Sequence, residues 1–177
     1  MTIQTDFKSP NALIGEKPRA LYAIWRGLAG NRKAPKREEV TLSLVRTLSP
    51  WMWTSDVIDR GADFRIRLGG DRIVEFAGQR YAGKLLSDCP ATLYFERARC
   101  LMAYCVEHRM PVATGPVPSG YSGKEHWEME VVVLPLSDDG ETITQLMGAT
   151  QFWPRGATTQ PDRAAGPRRG AKTREVF

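Results

Sequence analysis

The segment Asp63 to Lys84, DFRIRLGGDRIVEFAGQRYAGK, constrains the fold more than any other part of the chain. Phe64, Ile66 and Leu68 alternate with Arg65 and Arg67, the period of two expected of a half-buried strand whose arginines face water or a partner. Gly69 and Gly70 end that strand. Asp71 is placed to cap a short helix in which Ile73, Val74 and Phe76 fall at helical spacing, and Gly78 supplies a left-handed stop. Tyr81 to Lys84 repeats the turn chemistry around Gly83.

On the N-terminal side, Pro18 suits the first turn of a helix running to about Leu28, with Leu21, Ile24, Trp25 and Leu28 on one face. A basic loop from Gly27 to Pro35 precedes a second helix from about Lys36, whose stripe is Val40, Leu44, Val45 and Leu48 and which Pro50 ends. The pattern then switches to strands, WMWTSDVI followed by FRIRLGG, joined by a polar turn from Asp59 to Asp63. Ala91 to His108 returns to helix, with Leu93, Tyr94, Ala98, Leu101, Cys105 and His108 close to one face. The remainder is extended: Pro111 to Thr114, a loop from Gly115 to Lys124, a strand from Trp127 to Leu136, a turn at Ser137 to Gly140, and a strand from Thr142 to Phe152. Two strands, a helical crossover and three more strands predict an α+β fold: a five-stranded antiparallel sheet with helices on one face and an N-terminal helical extension. The expected division is a flexible N-terminus over 1–17, a folded domain over 18–153 and a basic disordered tail over 154–177.

At 177 residues the chain is about one domain, and one of this size buries roughly 70% of its unfolded surface without disulfide or metal staples. Cys89, Cys100 and Cys105 form no CxxC or metal-spaced pair, which argues against a disulfide framework and a zinc site. No apolar run approaches the roughly 20 residues that span a bilayer, and the N-terminus carries no signal-peptide hydrophobic stretch, so a cytoplasmic location is expected. From Pro154 onward six basic residues stand against two acidic ones, so this segment carries most of the net charge of +5. With Val176 and Phe177 its only large apolar residues, it cannot offset its ordering entropy. It lacks the interleaved aromatics of a nucleic-acid stacking surface, so a solvated tail is the simpler reading and nucleic acid is not expected as a partner.

LYAIWRGLAGNRKAPKREEV at 21–40, SPWMWTSDVI at 49–58, the block at 63–84 and VVVLPLSDDG at 131–140, in that order, resemble the short single-domain PAS proteins of alphaproteobacteria. The resemblance spans about residues 20 to 150 and implies a PAS-like domain in which the concave sheet face and the long helix enclose a small pocket. It implies that the other sheet face binds an N-terminal helix or a second protomer. The implied function is a non-catalytic sensory or adaptor module acting through protein–protein interaction, with a small-molecule or haem-binding sensor as the alternative. Implied partners are a signalling protein, a second copy as a homodimer, and a small-molecule ligand; no resident cofactor is expected. With no output domain recognised, a signal is expected to leave through a surface.

Pocket candidates are Phe64, Ile66, Phe76, Tyr81, Leu101, Tyr104, Cys105, Met129, Val131 and Met147, all equally readable as core. Leu21, Ile24, Trp25, Trp51 and Trp53 are interface candidates, since aromatics are enriched at interfaces; plain core packing is the competing reading. His108 is the residue to weigh as a haem ligand, but its place at a helix C-terminus favours interaction with free carbonyls. His126, beside a Gly-rich loop, reads as exposed. Light-sensing flavin PAS domains resemble one another in an Asn-Cys-Arg-Phe motif; the corresponding VEFAGQRYAG has no cysteine. Glu128 and Glu130 share one strand face, where pairing with Arg65 and Arg67 is simpler than acid–base chemistry. No nucleophile elbow, P-loop or dinucleotide fingerprint is present, and neither catalytic nor metal-binding residues are expected.

Overall fold

The computed structural model describes residues 6–157. Strands β1 (Met52–Ile58), β2 (Asp63–Gly69), β3 (Val112–Pro118), β4 (Trp127–Leu136) and β5 (Gln145–Pro154) form one sheet in the order β2-β1-β5-β4-β3, every pair antiparallel. Around it lie α1 (Glu16–Ala29), the one-turn α2 (Leu42–Val45), α3 (Asp71–Ala77) and α4 (Leu93–His108). The chain leaves β2 at one edge, crosses the sheet through α3 and α4, and re-enters at the opposite edge as β3. The long β4 and β5 then bring it back beside β1. Among the described residues no helix is long and apolar enough to cross a membrane.

Strand alternation sorts the sheet into two faces. The register pairs Val131 with Thr150 and Val133 with Gly148 on the face under α3 and α4. It pairs Glu130 with Gln151, Val132 with Ala149 and Leu134 with Met147 on the face under α1. Both faces are therefore covered, the second by the chain's own N-terminal helix. Leu21 is fully buried there and Trp25 is 6% exposed, its Nε1–H donating to the Pro135 carbonyl at 2.8 Å. This corrects the interface expectation for Leu21 and Trp25: their stripe is consumed inside the chain, while Ile24 remains half-buried.

Residues 6–17 were expected to be loose, and the structure differs there. Lys8 exchanges two backbone hydrogen bonds with Ala113 on the edge strand β3, at 2.8 and 3.1 Å. The segment then crosses to the outer face, where the fully buried carboxylate of Glu130 receives it. Glu130 accepts from Lys8 Nζ at 2.5 Å, from the Ile14 N–H at 3.1 Å and from the Gly15 N–H at 2.6 Å. Gly15 permits that approach because a Cβ there would stand 2.8 Å from Glu130 Oε2. A buried charge is tolerated only when paired and hydrogen-bonded, and this one holds three donors. One residue on, the Lys17 N–H donates to Gln151 Oε1 at 3.0 Å and starts α1 against the sheet.

The second expected helix breaks into 3₁₀ turns at Arg37–Glu39 and Ser49–Trp51 with only α2 between. Thr41 is extended, and Glu39 is drawn back onto Arg32 at 2.7 Å and the Lys36 N–H at 2.6 Å, so Val40 and Leu44 never share a helix. Asp71 is the first helical residue of α3 rather than its cap, a role left to Gly70; Gly78 does close it in the left-handed region at φ 76°. Of the expected tail, Pro154 ends β5 and residues 158–177 lie outside the described residues.

Replacing Glu130 with alanine leaves the Ile14 and Gly15 amides without their acceptor and the half-buried Lys8 ammonium without its carboxylate. The expected cost is about 3–5 kcal/mol in urea unfolding, with residues 6–15 becoming open to proteolysis. Lys8→Met costs less, because the two amides still solvate the carboxylate. A Glu130→Ala loss below about 1 kcal/mol, the scale of an exposed pair, would refute this account of the N-terminal strap.

Candidate functional site

Between the inner sheet face and the helices α3 and α4 lies a cavity of about 100 Å³. Its floor is Trp53 on β1, Ile66 on β2, Met129, Val131 and Val133 on β4, and Thr150 on β5. Its roof is Tyr94, Phe95, Ala98, Leu101 and Met102 of α4, with Ile73, Val74 and Ala77 of α3 at one side. Tyr81, Leu86 and Tyr121 close the ends, and the exposed Leu68, Gln79 and Arg80 border it toward solvent. Trp53 lies flat on the strands because position 148 is glycine: a Cβ there would come within 2.2 Å of the indole and 2.4 Å of the Val132 carbonyl.

Aromatic rings crowd one end. Tyr94 and Tyr121 are 4.3 Å apart between centroids, Tyr94 meets Phe95 edge-on at 5.1 Å, and Tyr81 meets Phe95 at 4.9 Å. Phe76 backs this group, stacked on Phe152 at 3.7 Å and edge-on to Tyr121 at 5.5 Å. Polar groups are few. The Trp53 Nε1–H donates to Thr150 Oγ1 at 3.2 Å, and the Thr150 hydroxyl also meets that of Tyr94. Burial pushes the Tyr94 phenol up to about 12, against a Thr150 hydrogen bond that acts the other way. It raises Tyr121 further and Tyr81 more modestly, and the Cys89 thiol nearby moves the same way for the same reason.

Five expected pocket residues, Ile66, Tyr81, Leu101, Met129 and Val131, come together around this cavity. The other five do not line it. Phe64 is on the inner face but fully buried beyond it, and Phe76 stands behind Tyr121. Tyr104 is stacked between Phe7 at 4.4 Å and His108 at 4.0 Å. Cys105 is buried with its thiol 3.9 Å from the Val133 carbonyl. Met147 pairs with Leu134 on the opposite face, because strand parity sends odd residues of β5 outward. Trp53 moves the other way, from interface candidate to cavity wall, whereas Trp51 is half-buried with Lys17 Nζ 4.7 Å from its ring.

His108 is exposed at the C-terminal turn of α4, its Nδ1 3.0 Å from the Tyr104 carbonyl, and His126 is exposed beside Trp127. Neither lines the cavity. The expected pairing of Glu128 and Glu130 with Arg65 and Arg67 is also corrected. Arg67 binds Asp56 at 2.5 Å, Arg65 donates to the Gly83 carbonyl at 3.3 Å, and Glu128 lies 4.0 Å from Arg155. Sequence reasoning missed Thr150, Phe95 and Tyr121 altogether. For Thr150 the signal was available in the register across the turn at 137–140; Tyr121 sits in a glycine loop where no periodicity speaks for it.

A family model described as PAS domain matches residues 16–151. The chain belongs to the PAS domain family. The sheet order and the helical crossover agree with that assignment, and PAS domains are sensory and signalling modules that commonly mediate interactions and dimerise. A solved structure titled "Flavin Analogue Sheds Light on Light-Oxygen-Voltage Domain Mechanism" is similar at 12% identity and a TM-score of 0.43, covering 64% of this chain and 84% of that one. That likeness adds nothing to the assignment. No curated protein matches the chain.

The buried phenols of this PAS domain carry a pH dependence whose sign follows from linkage. A folded-state pKa raised above the ordinary value of 10.0 contributes stability that is complete below that pH and lost as pH climbs toward about 12. Stability is therefore expected to fall between pH 10 and 12. Tyrosinate absorbance should show that Tyr94 and Tyr121 ionise together with the loss of tertiary near-ultraviolet dichroism. Ionisation of both with native dichroism intact contradicts their burial.

Proposed function

We propose that this PAS domain is a non-catalytic sensor whose cavity takes a small, mostly apolar molecule and whose output is contact with a signalling partner in the cytoplasm. The observation that carries this reading is the apolar cavity beneath α4, walled by aromatic rings and open past an exposed rim. Such concave, largely apolar sites with a few polar groups are the usual form of small-molecule sites, although roughly 300–1,000 Å³ is typical for drug-sized ligands. The volume here of about 100 Å³ favours a compact ligand of one ring. Among the described residues no histidine, cysteine, aspartate, glutamate or lysine lines it, so it offers no general base with an activated nucleophile, and a chamber of about 100 Å³ is too small to hold a haem macrocycle. That composition supports the sensor reading over an enzymatic one, and that size does not fit haem.

An adaptor acting without any ligand is the second reading. Leu42 and Leu44 on α2, 72% and 45% exposed, favour it as residues left for a protein partner or a second copy.

Toluene separates the two. At about ten times its dissociation constant it should raise Tm by about 3–6 °C and quench the fluorescence of Trp53. Ala98→Leu, which fills the cavity from α4, should abolish both effects without lowering Tm. A wild-type protein whose Tm and fluorescence ignore toluene would favour the adaptor reading.

A further inference from the structure

Most polar atoms of the cavity are already engaged by the chain. Thr150 holds the Trp53 indole and the Tyr94 hydroxyl, the Ser55 hydroxyl donates to the Asp56 carbonyl at 3.2 Å, and the Tyr81 hydroxyl accepts from Gln79 Nε2 at 2.5 Å. Tyr121 differs. Its ring lies against Tyr94 inside the aromatic end, and among the described residues its hydroxyl has no hydrogen-bond partner. A half-buried phenol that lines the cavity and has no partner in the chain is a donor open to an acceptor. Among the described residues Arg80 is the one ionised residue of the lining; it stands at the rim with its side chain 71% exposed and lies 3.6 Å from Asp71. A charged ligand group would thus enter an apolar chamber with no opposite charge inside it.

We infer that the cavity selects a neutral, planar, single-ring molecule bearing one hydrogen-bond-accepting oxygen, and that Tyr121 is the residue that recognises this oxygen. The proposal rests on the sensor reading and adds to it the chemical class of the ligand. The ring of such a molecule stacks among Tyr94, Phe95 and Tyr121, and its oxygen accepts the Tyr121 O–H. Burial favours the neutral phenol over the phenolate, so the donor keeps its proton across the physiological range.

Acetophenone and α-methylstyrene share a shape and differ by a carbonyl oxygen against a methylene, which makes them the probes. Titration calorimetry on the full chain should show acetophenone binding roughly tenfold more tightly. Tyr121→Phe should erase that preference while leaving α-methylstyrene binding and Tm unchanged, because the hydroxyl it removes bonds nothing in the protein. Tyr94→Phe should retain the preference. Benzoate should bind at least tenfold more weakly than acetophenone. Equal binding of acetophenone and α-methylstyrene overturns the ligand class while the sensor reading stands. Tighter binding of benzoate overturns the neutral class and points to Arg80. Failure of toluene and of both probes overturns the sensor reading itself, and this inference with it.

Discussion

The buried carboxylate of Glu130 decides what the two faces of this sheet can do. It sits in the middle of β4, on a face that strand parity would otherwise fill with apolar residues such as Val132 and Leu134. Among the described residues a charge there is sustained by the Lys8 ammonium and the Ile14 and Gly15 amides. Those donors belong to the segment that leads into α1. Satisfying Glu130 and covering the outer face are therefore one event, and each makes the other affordable. Once α1 is down, Leu21 and Trp25 complete the outer layer.

Closing one face with the chain's own helix throws the distinctive chemistry onto the other. The inner face combines a glycine, Gly148, that lets the Trp53 indole lie against the strands, with aliphatic side chains from β4 and the aromatic end of α4. Flat rings and aliphatic chains held by a rigid sheet and a 16-residue helix fill this layer incompletely. What remains is apolar space bounded by phenols, a composition that binds by shape and by a neutral hydrogen bond rather than by charge.

The strands were legible because alternation survives in short windows: Phe64, Ile66 and Leu68 against two arginines, or the turn at 137–140 between two extended runs. The long helix was legible by its period, and the series Tyr94, Ala98, Leu101 already contained most of the cavity roof. Met147 was misplaced because the face a strand residue takes depends on a one-residue register that local pattern leaves open. Trp51 and Trp53 were placed in one strand run, WMWTSDVI, yet a 3₁₀ turn ends at Trp51 and the strand begins at Met52, which parts them. The helix expected after Lys36 failed because apolar spacing alone does not outweigh Glu39 turning back on Arg32. Glu130 was invisible in its real role, since its partners lie more than a hundred residues away in sequence.

The strap that satisfies Glu130 also reaches the cavity's roof. Phe7 stacks on Tyr104 of α4, its neighbour Lys8 is hydrogen-bonded to the β3 edge through Ala113, and the Lys8 side chain ends on Glu130. Three consecutive anchors thus tie α4, the sheet edge and the outer face through two residues. A ring stack at 4.4 Å and hydrogen bonds near 3 Å tolerate little sliding. The helix over the cavity and the helix on the far face are consequently joined by a short, taut connection around the edge as well as through the sheet itself. In a fold with both faces covered, that edge is where the two layers meet.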